Sequence, residues 1–236
     1  MKKLTFLVVM MLVACFGLQA QTMRVQGVLR QNAKAEPAVV LPNISFDDLN
    51  YTVVVGNGKN LSALVVKWDD GKGGNCNLVW GYAWDTPAQG TGEAMLREIA
   101  KADPRFYMLV YGATQYGAAI GGMGFDLNGN GNIALMKNGA SYSLTDGIYN
   151  SSAYDFDSYT SNDPQDHWRA GWTNGYWSYW TTDNVKVAYK YSDVGASGRQ
   201  LKDGSIDGWS FMSDMVNWYS NDMSGQSCYV SEPAKK

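Results

Sequence analysis

The stretch Asp126-Leu127-Asn128-Gly129-Asn130-Gly131 places oxygen-bearing side chains at alternate positions and a glycine at the sixth, the front half of a calcium loop. Calcium binds hard, charge-dense oxygens, and a loop of this type needs a bidentate Glu at its twelfth position. Lys137 stands there instead. Asn and Gly also serve tight turns directly, because both tolerate positive φ. The expectation is therefore a hairpin turn with no metal assigned, and a calcium site on Asp126, Asn128 and Asn130 is the alternative. Further on, Asp155 and Asp157 alternate in "YDFDSY", with Asp163 and Asp166 close behind. Paired carboxylates at about 5–10 Å across a cleft hydrolyse glycosides; the plainer reading is a solvated acidic loop. His167 is the single histidine. No multi-histidine metal cluster is available, and no G-x-S-x-G elbow accompanies it for triad chemistry. These residues predict a protein that is not an enzyme, with glycoside hydrolysis left open, and no cofactor.

Aromatic residues are the other chemical resource. "GWTNGYWSYW" holds Trp172, Tyr176, Trp177, Tyr179 and Trp180 within ten residues. On a strand, side chains alternate faces, so Trp177 and Tyr179 share one side and Tyr176 and Trp180 the other. Tyr189 with Tyr191, and Trp209 with Phe211, repeat the alternation. The rings fill a core on both faces, or one face is exposed as a binding patch. The expected contact surface is Trp172, Trp177, Tyr179, Trp180 and Trp209. Gly121, Gly122 and Asp126 are expected to add backbone and polar contacts.

The elements that would carry these residues are mostly strands. Residues 51–55 ("YTVVV"), 61–68 ("LSALVVKW") and 76–84 ("CNLVWGYAW") are rich in β-branched and aromatic types and separated by Gly/Asn/Asp turns. One helix is predicted in "TGEAMLREIAKAD", with Thr91 as N-cap, Glu93 in the first turn, an apolar face of Ala94, Met95, Leu96, Ile99 and Ala102, and Pro104 as stop. Strands follow at "FYMLVYG", at glycine-rich "GAAIGGMGFD" and at "GNIALM", then at "GYWSYW", "VKVAYKYS" and "GWSFM". The fold class read from this order is α+β and β-rich, a sheet packed on one main helix with extra strands and loops.

The N-terminus carries Lys2 and Lys3 before an apolar run, 4–18, the pattern of a secretory signal and too short to span a bilayer. Ala20 offers a cleavage site, giving a signal peptide over 1–20, while "LVAC" offers Cys15 for lipidation. Both predict export: periplasmic, secreted or lipid-anchored at the outer membrane. Removal of Cys15 leaves Cys76 and Cys228 as an even pair in an oxidising compartment, where a disulfide is the expectation and two buried thiols the alternative. Residues 21–50 read as an extended leader or edge segment, 51–230 as one ligand-binding domain and 231–236 as a tail. Charged residues are 17% of the chain and the net charge is −3, without a basic patch, which argues against nucleic acid as a partner. No other apolar run predicts a transmembrane segment.

Two segments carry a family resemblance: "GEAMLREIAKADPRFYMLVYGATQYGAAIGGMGFD", then "GYWSYW" followed by "LKDGSIDGWSFM". Their order resembles the β-grasp-like C-terminal domain of transcobalamin and intrinsic factor, with its bacterial soluble-ligand-binding relatives, over about 61–212. The chain also looks like secreted surface proteins of Bacteroidetes-type bacteria. The resemblance implies a β-grasp-like sheet, capture of a corrinoid at the cell surface or periplasm, and an outer-membrane transporter as partner. Residues 128–169 depart from the compact pattern. A flat, amide-fringed corrin and a pyranose with its apolar C–H face both suit an aromatic surface. A glycan is therefore the second ligand class, and a structural or adhesive module that binds another protein is the third reading.

Overall fold

The computed structural model describes residue 49 and residues 51–72, 77–114 and 117–213, all within the unit Val39–Lys236. Cys15, Cys76, Cys228, the signal peptide and the 231–236 tail lie outside the described residues, as does all but Leu49 of the 21–50 leader. The fold is α+β and β-rich, with one main helix and several sheets.

The largest sheet is built from β1 (Val53–Gly56), β2 (Asn60–Lys67), β3 (Asn77–Trp84), β11 (Tyr176–Thr182), β12 (Lys190–Tyr191) and β13 (Ile206–Met212). Their spatial order is β1-β3-β2-β13-β11-β12. The central pair, β2 and β13, is parallel, and each is flanked by an antiparallel neighbour, β3 and β11. Helix α1 (Gly92–Ala102) follows β3 directly. This β2-β3-α1-β11-β13 path, with first and last strands parallel at the centre, has the connectivity of a β-grasp-like sheet. Between α1 and β11 the chain inserts a second, four-stranded sheet of β4 (Phe106–Thr114), β5 (Gly117–Phe125), β8 (Ile148–Ser151) and β10 (His167–Ala170), ordered β10-β5-β4-β8. A small third sheet, β7-β6-β9, joins β6 (Leu135–Lys137), β7 (Ala140–Tyr142) and β9 (Thr160–Ser161).

α1 forms where its local chemistry requires. The Thr91 hydroxyl accepts the Ala94 N–H at 3.1 Å, Glu93 pairs with Arg97 one turn on, and Asp103 caps the C-terminus before Pro104. Met95, Leu96, Ile99 and Ala100 face inward and are buried. They join a core of Leu64, Val66, Trp68, Trp80, Phe106, Met108, Phe125, Trp177 and Trp209, among others. Asp103, buried beside this core, accepts the Trp80 indole N–H at 2.9 Å and two N–H groups of Arg105. Burial alone would raise the Asp103 carboxyl; these bonds outweigh it and hold it below the usual carboxylate range.

The opposite face of the large sheet is also covered. Ala63, Val65, Val79, Trp180 and Ile206 pack with Leu49, Val185 and Tyr189 in a second cluster. The segment "VKVAYKYS" is a strand only at β12; Val185 and Tyr189 are loop residues that lie over this face. In "GNIALM", strand begins only at Leu135. Among the described residues no helix is long and apolar enough to cross a membrane.

Candidate functional site

Four of the five expected contact aromatics are core. Trp177, Tyr179, Trp180 and Trp209 are 5%, 6%, 0% and 6% exposed. The alternation on β11 holds, but both faces of its sheet are packed, so these four rings form no exposed platform; Tyr176, half-buried, meets the exposed Tyr191 at 3.2 Å between hydroxyls. Trp177 meets Phe211 at 5.4 Å and donates its indole N–H to the Arg169 carbonyl. Tyr179 stacks on Trp209 at 4.3 Å and donates its hydroxyl to the fully buried Asp207. Trp180 donates to Ser178 Oγ at 2.8 Å.

Trp172 is the exception, at 41% exposure, and it is not alone. Tyr154, 40% exposed, lies 5.3 Å from it, and Tyr111 lies 4.1 Å beyond Tyr154 (ring centroids). Three separate segments bring these rings together. Tyr111 on β4 is in register with Ser151, the last residue of parallel β8, so the chain leaving β8 carries Tyr154 to Tyr111. β10 runs antiparallel to β5 with Ala170 opposite Gly122, and Gly171 then donates its N–H to the Gly121 carbonyl, which delivers Trp172 to the same place. Beneath them sits Phe156, fully buried, edge-on to both Tyr154 and Trp172.

Gly121 and Gly122 serve this assembly as spacers. The register jumps from Leu109–Gly122 to Val110–Ile120, so Gly121 is the extra residue of a β-bulge. A Cβ on Gly121 would stand 2.3 Å from the Phe156 ring, and one on Gly122 would stand 2.8 Å from Trp168. The backbone approaches closely here, as glycine content predicts, but it approaches aromatic rings.

Asp157 fixes the outer loop. Its carboxylate accepts the N–H groups of Trp172, Thr173 and Asn174 and the Thr173 hydroxyl, at 2.9–3.3 Å. Burial pushes this carboxyl up, and those four donors outweigh it, so it stays below the usual range. Asp155 is bound to Lys137 and Ser151. The two acids are thus each tied to their own partners.

Asp126, 3% exposed, is bound within its own loop: its two oxygens accept the N–H groups of Gly129, Asn130 and Gly131. Asn128 and Asn130 both direct their amides to Asp163, 33 or more residues later. Asp166, fully buried, accepts the Tyr107 hydroxyl at 3.3 Å. Burial and the charges of Asp126 and Asp163 push its carboxyl up to about 6. His167 lies inside the protein, stacked on Trp68 at 4.8 Å, with Nδ1 3.0 Å from Asp70. Near β11 and β12, Thr182, Asp183, Lys190 and Arg199 line a cleft of about 320 Å³.

Sequence reasoning missed Tyr111, Tyr154 and Phe156. Tyr154 and Phe156 stand inside the quoted "YDFDSY" stretch, whose acids drew the attention. No protein-family model, curated protein or solved structure matches the chain. The fold and this surface define a β-rich α+β domain with a small exposed aromatic patch.

Proposed function

We propose that this chain is an exported small-ligand-binding protein, and that its ligand is a glycan held against Trp172, Tyr154 and Tyr111. One observation carries the reading: three neighbouring rings from three segments, two of them exposed, with the backbone at Trp172 fixed by Asp157. A pyranose stacks its apolar C–H face on an indole or phenol ring, and rings held in place lose little entropy when it does. Tilts of 35° and 37° between successive rings suit a chain of sugars that twists from one residue to the next. The basic tip and apolar run at residues 2–18 support export. The surface expected for either ligand was Trp172, Trp177, Tyr179, Trp180 and Trp209, and all but Trp172 are buried; the small patch that remains suits a pyranose ring better than a broad corrin. A partner protein needs about 800 Å² of surface per side, and the exposed rings of this patch are Tyr154 and Trp172.

The test is a glycan array probed with the labelled mature chain and with its Trp172→Ala variant, alongside a calorimetric titration with cyanocobalamin. Binding to a defined set of glycans, lost in the variant, is the expected result. An empty array together with saturable heat from cyanocobalamin would replace the glycan by the corrinoid.

A further inference from the structure

The geometry points to a second binding site, a pocket for a small carboxylate in the cleft beside β11 and β12, with Lys190, Arg199 and Thr181 as its hydrogen-bond donors. Strand register brings these groups together. Thr181 is paired with Lys190 of β12 on one side and with Asp207 of β13 on the other, so the three side chains stand in one row on one face of the sheet. Trp180 and Tyr191, the next pair along, meet on the other face. Arg199 lies at the Asp207 end of the row, its Nε 3.1 Å from the carboxylate. The cleft between these residues measures about 320 Å³, and Val187 and Ala188 give it an apolar wall.

Arg199 is held in place with a donor to spare. Nε meets Asp207 and Nη2 meets Asp183 at 2.5 Å, while Nη1 has no partner among the described residues and is not sealed from solvent. The side chain is only 13% exposed, so its planar fork is set before any ligand arrives. Asp183, the one acid of the lining, has both oxygens occupied: Arg199 and Ser205 donate to Oδ1, and Lys202 donates to Oδ2. Asp207 accepts from Arg199 Nε and from the Tyr179 hydroxyl. Lys190 is exposed and enters no ion pair among the described residues.

Charge decides the class of ligand. Lys202 neutralises Asp183 and Arg199 neutralises Asp207, which leaves the single positive charge of Lys190 at the cleft. A monoanion matches that balance. A phosphate dianion would stand beside two carboxylates with one cation left to answer it. In the carboxylate complex one oxygen takes Arg199 Nη1 and the other Lys190 Nζ, both charge-assisted, and the Thr181 hydroxyl donates beside them. Small-ligand pockets run upward from about 300 Å³, so this cleft suits an acid no larger than a single sugar, with its C–H face against Val187 and Ala188. The site shares no residue with the Trp172, Tyr154 and Tyr111 patch and does not rest on the glycan reading.

The test is calorimetry on the mature chain with sodium lactate and sodium D-glucuronate, each up to about 20 mM at constant ionic strength, with D-glucose as the uncharged counterpart. Expected are saturable heat at one site from at least one of the two acids, with a Kd of about 1 mM, and no response to D-glucose. Lys190→Gln should weaken binding about tenfold or more, and Thr181→Val about three- to tenfold. Lys190 is exposed, so its variant keeps the fold, which unfolding curves check. Trp172→Ala should bind the acid as wild type does. The absence of heat from both acids overturns the site. So does an equal response to D-glucose, wild-type affinity in Lys190→Gln, or loss of acid binding in Trp172→Ala.

Discussion

Replacing Trp180 with alanine separates a core role from a surface role. The ring is fully buried among Ala63, Val65, Val79, Ile206, Val185 and Tyr189, with Tyr191 edge-on at 5.1 Å. A buried tryptophan removes about 150–250 Å² from water. At about 25 cal/mol per Å² this contributes about 4–6 kcal/mol, an upper bound because the unfolded chain is itself partly compact. Measured aromatic truncations cost about 3–5 kcal/mol. The lost indole N–H bond adds little, since Ser178 Oγ keeps its own donation to the Ser210 carbonyl at 2.7 Å. We therefore expect a loss of about 4 kcal/mol, or a Tm lower by about 8–16 °C, with the urea m-value unchanged. The assay is urea unfolding followed by far-UV circular dichroism, with Trp172→Ala measured beside it. That variant, at an exposed ring, should lose about 1 kcal/mol or less. A Trp180→Ala loss below about 1 kcal/mol, or a larger loss in Trp172→Ala, refutes the assignment of Trp180 to a packed second face.

Gly121→Ala should cost about 1–3 kcal/mol by forcing Phe156 from its seat, and should weaken glycan binding although Gly121 touches no ligand; unfolding and binding curves read both. Arg199→Ala leaves Asp207 buried with only the Tyr179 hydroxyl to answer it, and a loss of about 3–5 kcal/mol in urea unfolding is expected. Asp183 gives a pH dependence. Burial pushes its carboxyl up, but the bonds from Lys202, Arg199 and Ser205 prevail and bring it from 3.8 to about 2. A folded pKa below the unfolded one stabilises above about pH 4, and that contribution fades as pH falls towards 2. The full shift corresponds to about 2.5 kcal/mol, and solvent screening at this partly exposed group reduces it to about 1 kcal/mol. The stability gap between wild type and Asp183→Asn should shrink by that amount from pH 5 to pH 2.5.

Helix α1 was legible in the sequence because Thr91 and Pro104 mark its ends and an apolar stripe marks its face. Strands β2 and β3 were legible from β-branched content and the turns between them. The alternation of "GYWSYW" was also readable, and it assigned Trp177 with Tyr179 and Trp180 with Tyr176 to opposite faces. What period-two alternation cannot carry is whether the second face is covered. Val185 and Tyr189 arrive from a loop, and nothing local in "VKVAYKYS" distinguishes such a cover from another strand. The patch was illegible for a related reason. Tyr111, Tyr154 and Trp172 sit on three segments that meet only through the β4–β8 and β5–β10 registers. Asp163 likewise meets Asn128 and Asn130 only through folding.

The most direct test of the central claim is calorimetry with an oligosaccharide selected on the array, titrated into wild type, Trp172→Ala and Tyr154→Ala. Removing a stacking ring should cost about 2 kcal/mol, which is about a 30-fold weaker Kd, in each variant. Unchanged affinity in both variants would contradict the assignment of the ligand to this surface.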